Sequence, residues 1–196
     1  MSTTIGIFIF DGAEELDWAG PYEVLASWAQ LWPQDETKVV TLSATGELVH
    51  CAKGLRVTPD HGWDTAPPLD VLVYPGGMGT RSHIEDELIL SWVRKMSGDN
   101  VLMTSVCTGS LVYAAAGLLD GRPATTHWTT LDLLASLGKE IELRPDDRFV
   151  DDGDIITSAG VSAGIDMALH LVARLHSVER AREVRRVIQY DPAPPV

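Results

Sequence analysis

Apolar residues in this chain come in short dense runs, separated by longer stretches in which they recur at helical spacing. Residues 5–10, 39–42, 70–74 and 101–106 are nearly continuous apolar segments rather than alternating ones, the pattern of strands buried on both faces. Between them the period lengthens. A helix is expected over residues 20–31, with Pro21 in its first turn, and another over 84–96. A small-residue helix is expected over 111–116, closed by Gly117, and a short one over 129–137. Residues 162–175 are apolar on most sides and read as a buried helix, followed by a basic amphipathic helix over 177–189. Residues 49–57 suggest a hairpin or irregular strand pair. Residues 149–150 and 155–157 flank the turn Asp151-Asp152-Gly153-Asp154 as a second hairpin. Strands alternating with helices predict an α/β fold: a doubly wound, mostly parallel sheet with helices on both faces. No repeat, low-complexity stretch or long linker divides the chain, so residues 1–196 are expected to form a single domain.

Charge narrows the function. Fifteen Lys and Arg against 28 Asp and Glu give a formal charge of −13. Bulk electrostatics of that sign repel nucleic acid and anionic membrane, so neither is expected as a partner. No apolar run approaches the roughly 18 residues of a membrane span, and no basic stretch precedes the first apolar run as in a secretory signal. The expected location is cytoplasmic. The two cysteines, Cys51 and Cys107, are far apart and lie in no metal-binding spacing, so neither a disulfide nor a metal is expected.

In a parallel sheet, ligands bind beyond the carboxyl ends of the strands. Three segments end strands there: residues 11–17, 75–79 and 107–110. Cys107 follows an apolar strand and opens a helix rich in Gly, Ser and Ala, the setting of a nucleophile elbow. Helix N-terminal amides are expected to lower its thiol pKa; the bland alternative is an inert buried cysteine. Gly76 and Gly77 let backbone N–H groups approach a reacting atom, as an oxyanion hole or water site requires, or simply make a turn. Glu14, Glu15 and Asp17 are loop acids. One placed beside a thiolate would raise both pKa values and share its proton. His127 is the obvious partner for a Cys–His pair, or a polar anchor for its own segment. Trp18 and Trp128 would line an apolar pocket or merely pack. His170 reads as a satisfied core histidine, and Arg180, Arg182, Arg185 and Arg186 as a solvated helix face.

At these residues the sequence resembles the DJ-1/PfpI superfamily. The matching pieces are Asp11-Gly12-Ala13-Glu14-Glu15-Leu16-Asp17, Gly20-Pro21, Pro75-Gly76-Gly77, Cys107-Thr108-Gly109, Gly117-Leu118-Leu119-Asp120-Gly121, Ala124-Thr125-Thr126-His127-Trp128, Thr157-Ser158-Ala159-Gly160 and Gly164-Ile165-Asp166. They span nearly the whole chain in the family's order. Within it, Ser105-Val106-Cys107-Thr108-Gly109-Ser110, Ala115-Ala116-Gly117-Leu118-Leu119 and the Tyr190-Asp191-Pro192-Ala193-Pro194-Pro195 tail are most similar to the isocyanide-hydrating branch. The resemblance implies a flavodoxin-like homodimer acting without a cofactor on a small-molecule electrophile, an isocyanide hydrated to a formamide through a Cys107 thioimidate. It further implies that Asp17, rather than His127, is the thiol's partner, with Thr108 and the amides near Gly77 holding developing charge or water. Two departures stand out. Trp18 occupies the place of a smaller aliphatic residue and would narrow the pocket, and residues 30–36 form a longer segment. The same motifs occur in ligand-sensing domains of arabinose-type transcription regulators; a chain ending at Val196 is expected to lack their DNA-binding region. Glyoxalase-, deglycase- or peptidase-like cysteine enzymes and redox-stress proteins are further alternatives.

Overall fold

A computed structural model of the chain describes residues 2–193. The elements run β1 (Thr3–Phe8), α1 (Glu15–Leu31), β2 (Thr37–Ser43), β3 (Val49–His50), β4 (Arg56–Val57), β5 (His61–Gly62), β6 (Val71–Tyr74), α2 (Thr80–His83), α3 (Glu87–Gly98), β7 (Leu102–Val106), α4 (Gly109–Ala115), β8 (Pro123–Ala124), α5 (Leu131–Leu137), β9 (Glu142–Leu143), β10 (Phe149–Asp151), β11 (Ile155–Ser158), α6 (Ala163–Leu175) and α7 (Val178–Val187). Among the described residues seven strands form one sheet in the order β10-β11-β7-β6-β1-β2-β5. Every neighbouring pair is parallel except β10 with β11 at one edge. Ile5, Ile7, Leu72, Val73, Met103 and Ile156 are completely or almost completely buried, which is why their strands carry no polar alternation. Each such side chain contributes about 1.5–3 kcal/mol of burial. α1, α6 and α7 pack together, while α3 and α5 pack against α4. The expected doubly wound α/β architecture is the observed one.

The strand order reverses direction between β1 and β6, the switch point at which such sheets bind ligands. The loops leaving these two strands are tied together. Glu14 N–H donates to Gly76 O at 2.9 Å, and Ala13 bridges to Gly77. Cys107 leaves β7, next to β6.

Several boundaries differ from expectation. α1 begins at Glu15, so Pro21 lies inside the helix and not in its first turn. Its ring faces Gly164 of α6, where a methyl group would sit 3.2 Å from Pro21 Cγ. Packing of α1 on α6 thus outweighs the backbone cost of an interior proline. The helix expected over 84–96 is α3, which starts only at Glu87, where Asp86 caps it by accepting from Leu88 N–H at 2.9 Å; the short α2 precedes the expected range. The expected hairpins are β3–β4 and β10–β11. Arg180 is not on a solvated face. It donates to Asp35 through Nε at 2.6 Å and Nη2 at 3.2 Å, and lies over the Trp32 ring at 4.6 Å, pinning α7 to the end of α1. His170, half-buried, pairs with Asp151 at 2.6 Å. Of the expected tail, Pro194 and Pro195 lie outside the described residues.

Candidate active site

Cys107 has φ +56°, a left-handed conformation that side chains other than glycine rarely adopt. Its neighbours over-determine it. The Cys107 N–H is shared between Ser158 O at 3.1 Å and Ala159 O at 3.2 Å. Its carbonyl accepts from Thr126 Oγ1 at 2.9 Å and Ser110 Oγ at 3.2 Å. A strained residue held from both sides, between a strand and a helix, is the geometry of a nucleophile elbow, here with the cysteine itself buried. The sulfur receives backbone N–H groups from Thr108 and from Val161. Val161 is itself at φ +48°, an unusual conformation for a β-branched residue.

Asp17, in the first turn of α1, is fully buried. Its Oδ2 accepts from Gly76 N–H at 2.9 Å, and its carboxyl is paired with the Cys107 thiol. Oδ1 has no nitrogen or oxygen donor. Burial, opposed by the Gly76 N–H and the thiol, raises the Asp17 carboxyl from 3.8 to about 7. Burial and the Asp17 charge push the Cys107 thiol from 9.0 to about 12, against the two amides that favour its thiolate. The expected helix-driven lowering of the thiol is therefore overturned: desolvation and a neighbouring carboxylate outweigh two N–H groups. The expected proton-sharing pair is the arrangement found. Above about 7 Cys107 and Asp17 hold one proton between them, mainly on the sulfur.

Gly76 and Gly77 stand at the site with their N–H groups already engaged, Gly76 with Asp17 and Gly77 with Thr108 Oγ1 at 2.9 Å. This differs from the oxyanion role expected of them; the amides facing the sulfur belong to Thr108 and Val161. Gly76 must lack a side chain, since a Cβ would stand 2.5 Å from Thr108 N and 2.8 Å from Asp17 Oδ2. Thr108 Oγ1 donates to Gly77 O at 3.2 Å and lies 3.1 Å from Thr80 Oγ1, so the hydroxyl locks the β6 loop onto the elbow.

The sulfur opens onto a cavity of about 180 Å³ lined by Glu14, Ala52, Gly77, Met78, Arg81, Cys107, Thr108, His127, Thr129 and Val161. His127 lines it but is bound elsewhere: Nδ1 accepts from Thr129 N–H at 3.3 Å and pairs with Thr129 Oγ1 at 2.7 Å. Neither tryptophan lines it. Trp18 is buried with its indole N–H directed at Cys51, and Trp128 is 75% exposed, tilted beside His127. Glu14 forms an ion pair with Lys53, and Glu15 accepts from Lys53 N–H at 2.6 Å, so these two acids hold the β3–β4 turn. Val161, Arg81 and Met78 went unnoticed in the sequence. Nothing in Gly160-Val161-Ser162 announces a positive φ at valine, and Arg81 stands four residues beyond the glycine pair without a motif. Among the described residues no group of three or more His, Cys, Asp or Glu is placed to hold a metal ion, and no helix is long and apolar enough to cross a membrane.

A parallel α/β sheet with a strained cysteine elbow at its switch point, backed by a buried carboxyl, defines a class of protein before any comparison is made. The DJ-1/PfpI family model matches residues 3–174, and the chain belongs to that family. It is 41% identical over 195 residues to an isonitrile hydratase of Pseudomonas putida, covering all of this chain and 82% of that protein. It is 30% identical over 188 residues to the HTH-type transcriptional regulator GbdR of Pseudomonas aeruginosa, of whose length it spans about half (51%). A ThiJ/PfpI family protein from Pseudomonas syringae superposes with a TM-score of 0.86 at 33% identity, over all of this chain and 78% of that one. DJ-1beta of Drosophila melanogaster superposes at 0.85 with 25% identity, over 97% of this chain and all of that one.

Proposed function

We propose that the chain is a cofactor-independent isocyanide hydratase that converts R–NC and water to the formamide R–NH–CHO. The buried Cys107–Asp17 pair, two acids sharing one proton at an elbow, carries the reading. The 41% identity to a hydratase supports it. The thiol proton first passes to the Asp17 carboxylate, so that in the reactive form the sulfur is thiolate and Asp17 is the acid. The sulfur bonds to the terminal isocyanide carbon while Asp17 delivers its proton to that carbon, giving the thioimidate R–N=CH–S–Cys107. Asp17, now anionic, takes a proton from water as the water oxygen bonds to the same carbon, and passes that proton to the nitrogen. The C–S bond then breaks, the hydroxyl proton returns to Asp17, and formamide leaves. Thr108 and Val161 N–H groups stabilise the sulfur's charge at the first and last steps. Gly76 N–H fixes the carboxyl that moves the protons.

The test is formamide production from simple alkyl and aryl isocyanides, followed by proton NMR. Cys107→Ala is expected to form none. Asp17→Asn is expected to lose on the order of 10²–10⁴ in rate, the usual contribution of a positioned acid or base. Full turnover by Cys107→Ala would refute the mechanism. Isocyanide binding without turnover by the intact protein would instead favour the ligand-sensing reading, in line with the regulator relative. The proposed protein works in the cytoplasm as a homodimer. Leu16, Leu48 and Leu55, 40%, 50% and 47% exposed around the start of α1 and the β3–β4 hairpin, are the apolar surface a second copy would cover. Light scattering checks the dimer: two chains per particle are expected, and one would exclude it.

A further inference from the structure

The active-site cavity contains one feature that hydration of an uncharged isocyanide does not use. Arg81 lines it together with Cys107 and is half-buried there. Its Nη1 donates to Thr80 Oγ1 at 3.1 Å and to Gly77 O at 3.4 Å, bonds to neutral acceptors that orient the guanidinium without neutralising it. Arg81 forms no ion pair with a carboxylate among the described residues. Six other arginines, Arg94, Arg122, Arg144, Arg148, Arg174 and Arg180, pair with acids, and Arg56, Arg182, Arg185 and Arg186 lie outside the cavity, so in a chain of charge −13 Arg81 is the arginine left open at this ligand site. The acid nearest at hand on the cavity wall, Glu14, is already paired with Lys53. A guanidinium has five N–H donors in a planar fork that matches a carboxylate.

We propose that Arg81 selects an anionic substrate, binding a carboxylate on the group carried by the isocyanide nitrogen while the terminal carbon lies at the Cys107 sulfur. Resting on the hydratase reading above, this names the substrate class as short isocyano-carboxylates and the product as N-formylamino carboxylates. The carboxylate takes no part in bond making. The same S–C bond forms and breaks, and water supplies the same oxygen and protons. Arg81 is therefore a specificity residue that shortens the search for the reactive pose.

Two measurements separate this inference from the hydratase reading. The first compares kcat/KM for isocyanoacetate and for its uncharged amide, in the wild type, Arg81→Gln and Arg81→Lys. The wild type is expected to favour the anion. The anion-to-amide ratio is expected to fall by roughly tenfold or more in Arg81→Gln, the scale of one charge-assisted contact, with partial recovery in Arg81→Lys. A ratio unchanged by the substitution, or a wild type that prefers the amide, would overturn the proposal while leaving hydration intact. The second measurement needs no hydration at all: the rates at which iodoacetate and iodoacetamide alkylate Cys107, read by mass spectrometry. The iodoacetate-to-iodoacetamide ratio is expected to fall by a similar factor in Arg81→Gln and to fall with added salt in the wild type. A ratio independent of Arg81 would overturn the proposal whether or not any isocyanide is turned over.

Discussion

One proton lies between Cys107 and Asp17, and the surroundings of the two groups decide when it is available. Below about 7 Asp17 holds its own proton and the thiol holds another, so no thiolate forms. Above that value the pair loses one proton, chiefly from Asp17, and the one-proton state, from which transfer of the thiol proton to Asp17 gives the reactive thiolate, persists up to about 12. Hydration is therefore expected to rise with pH to a plateau above about 7, checked by the pH profile of kcat/KM. Asp17→Asn removes the charge that helps push the thiol up. The variant is expected to alkylate faster with iodoacetamide at mildly alkaline pH while hydrating far more slowly, opposite shifts that mere misfolding does not produce. Gly76→Ala is expected to abolish turnover, because its Cβ would meet the Thr108 nitrogen at 2.5 Å and the carboxylate beside it. The cysteine was legible from its position between an apolar strand and a small-residue helix, and its acid partner from the family motif. The second amide on the sulfur was not, since it depends on a positive φ at Val161 that no residue type signals.

Among the elements, those with dense apolar runs were legible because burial on both faces leaves a continuous signal. β5, β8 and β9 are two residues each, too short to carry a period. The start of α1 differs from the sequence pattern because Pro21 is a strong local signal for a first turn, whereas the contact that tolerates it, with Gly164, is made only in the fold. The earlier start matters for the site: beginning the helix at Glu15 makes Asp17 a first-turn residue held inward against the loop that follows β6. α4 must approach the end of β6 just as closely, since a Cβ on Gly109 would stand 2.3 Å from Tyr74 O. Gly109→Ala is expected to cost about 1–3 kcal/mol by overpacking and to disturb the elbow, checked by denaturant unfolding alongside activity.

For the whole molecule, the site sets a cost against stability. Asp17 has a folded pKa of about 7 and an unfolded value near 3.8. Between these the folded state binds more protons than the unfolded one, so Asp17's contribution to stability falls as pH rises through that window and is level above it, while the raised Cys107 thiol adds a second fall above about 9. Asp17→Asn is free of this cost. Its melting temperature is expected to exceed that of the wild type by a margin that grows from about pH 4 to pH 7, with the gap read from thermal unfolding across that range. Asp35 works in the opposite direction. Burial pushes its carboxyl up, but Arg180, Trp28 and His176 together outweigh it and hold it below the usual range, so its contribution is present above the unfolded value and is lost as pH falls through the folded one. Stability of the α1–α7 contact and reactivity of the site thus respond to acid at different carboxylates.

The central claim is that Cys107 carries the substrate covalently and Asp17 moves its protons. Its most direct test is the mass of the Cys107 peptide after acid quench during turnover of a simple isocyanide, in the wild type and in Asp17→Asn. The account predicts a species heavier by one isocyanide on that peptide in the wild type, and less of it in Asp17→Asn, which lacks the acid that protonates the isocyanide carbon. Sustained formamide production with no adduct on Cys107 in either protein would contradict it.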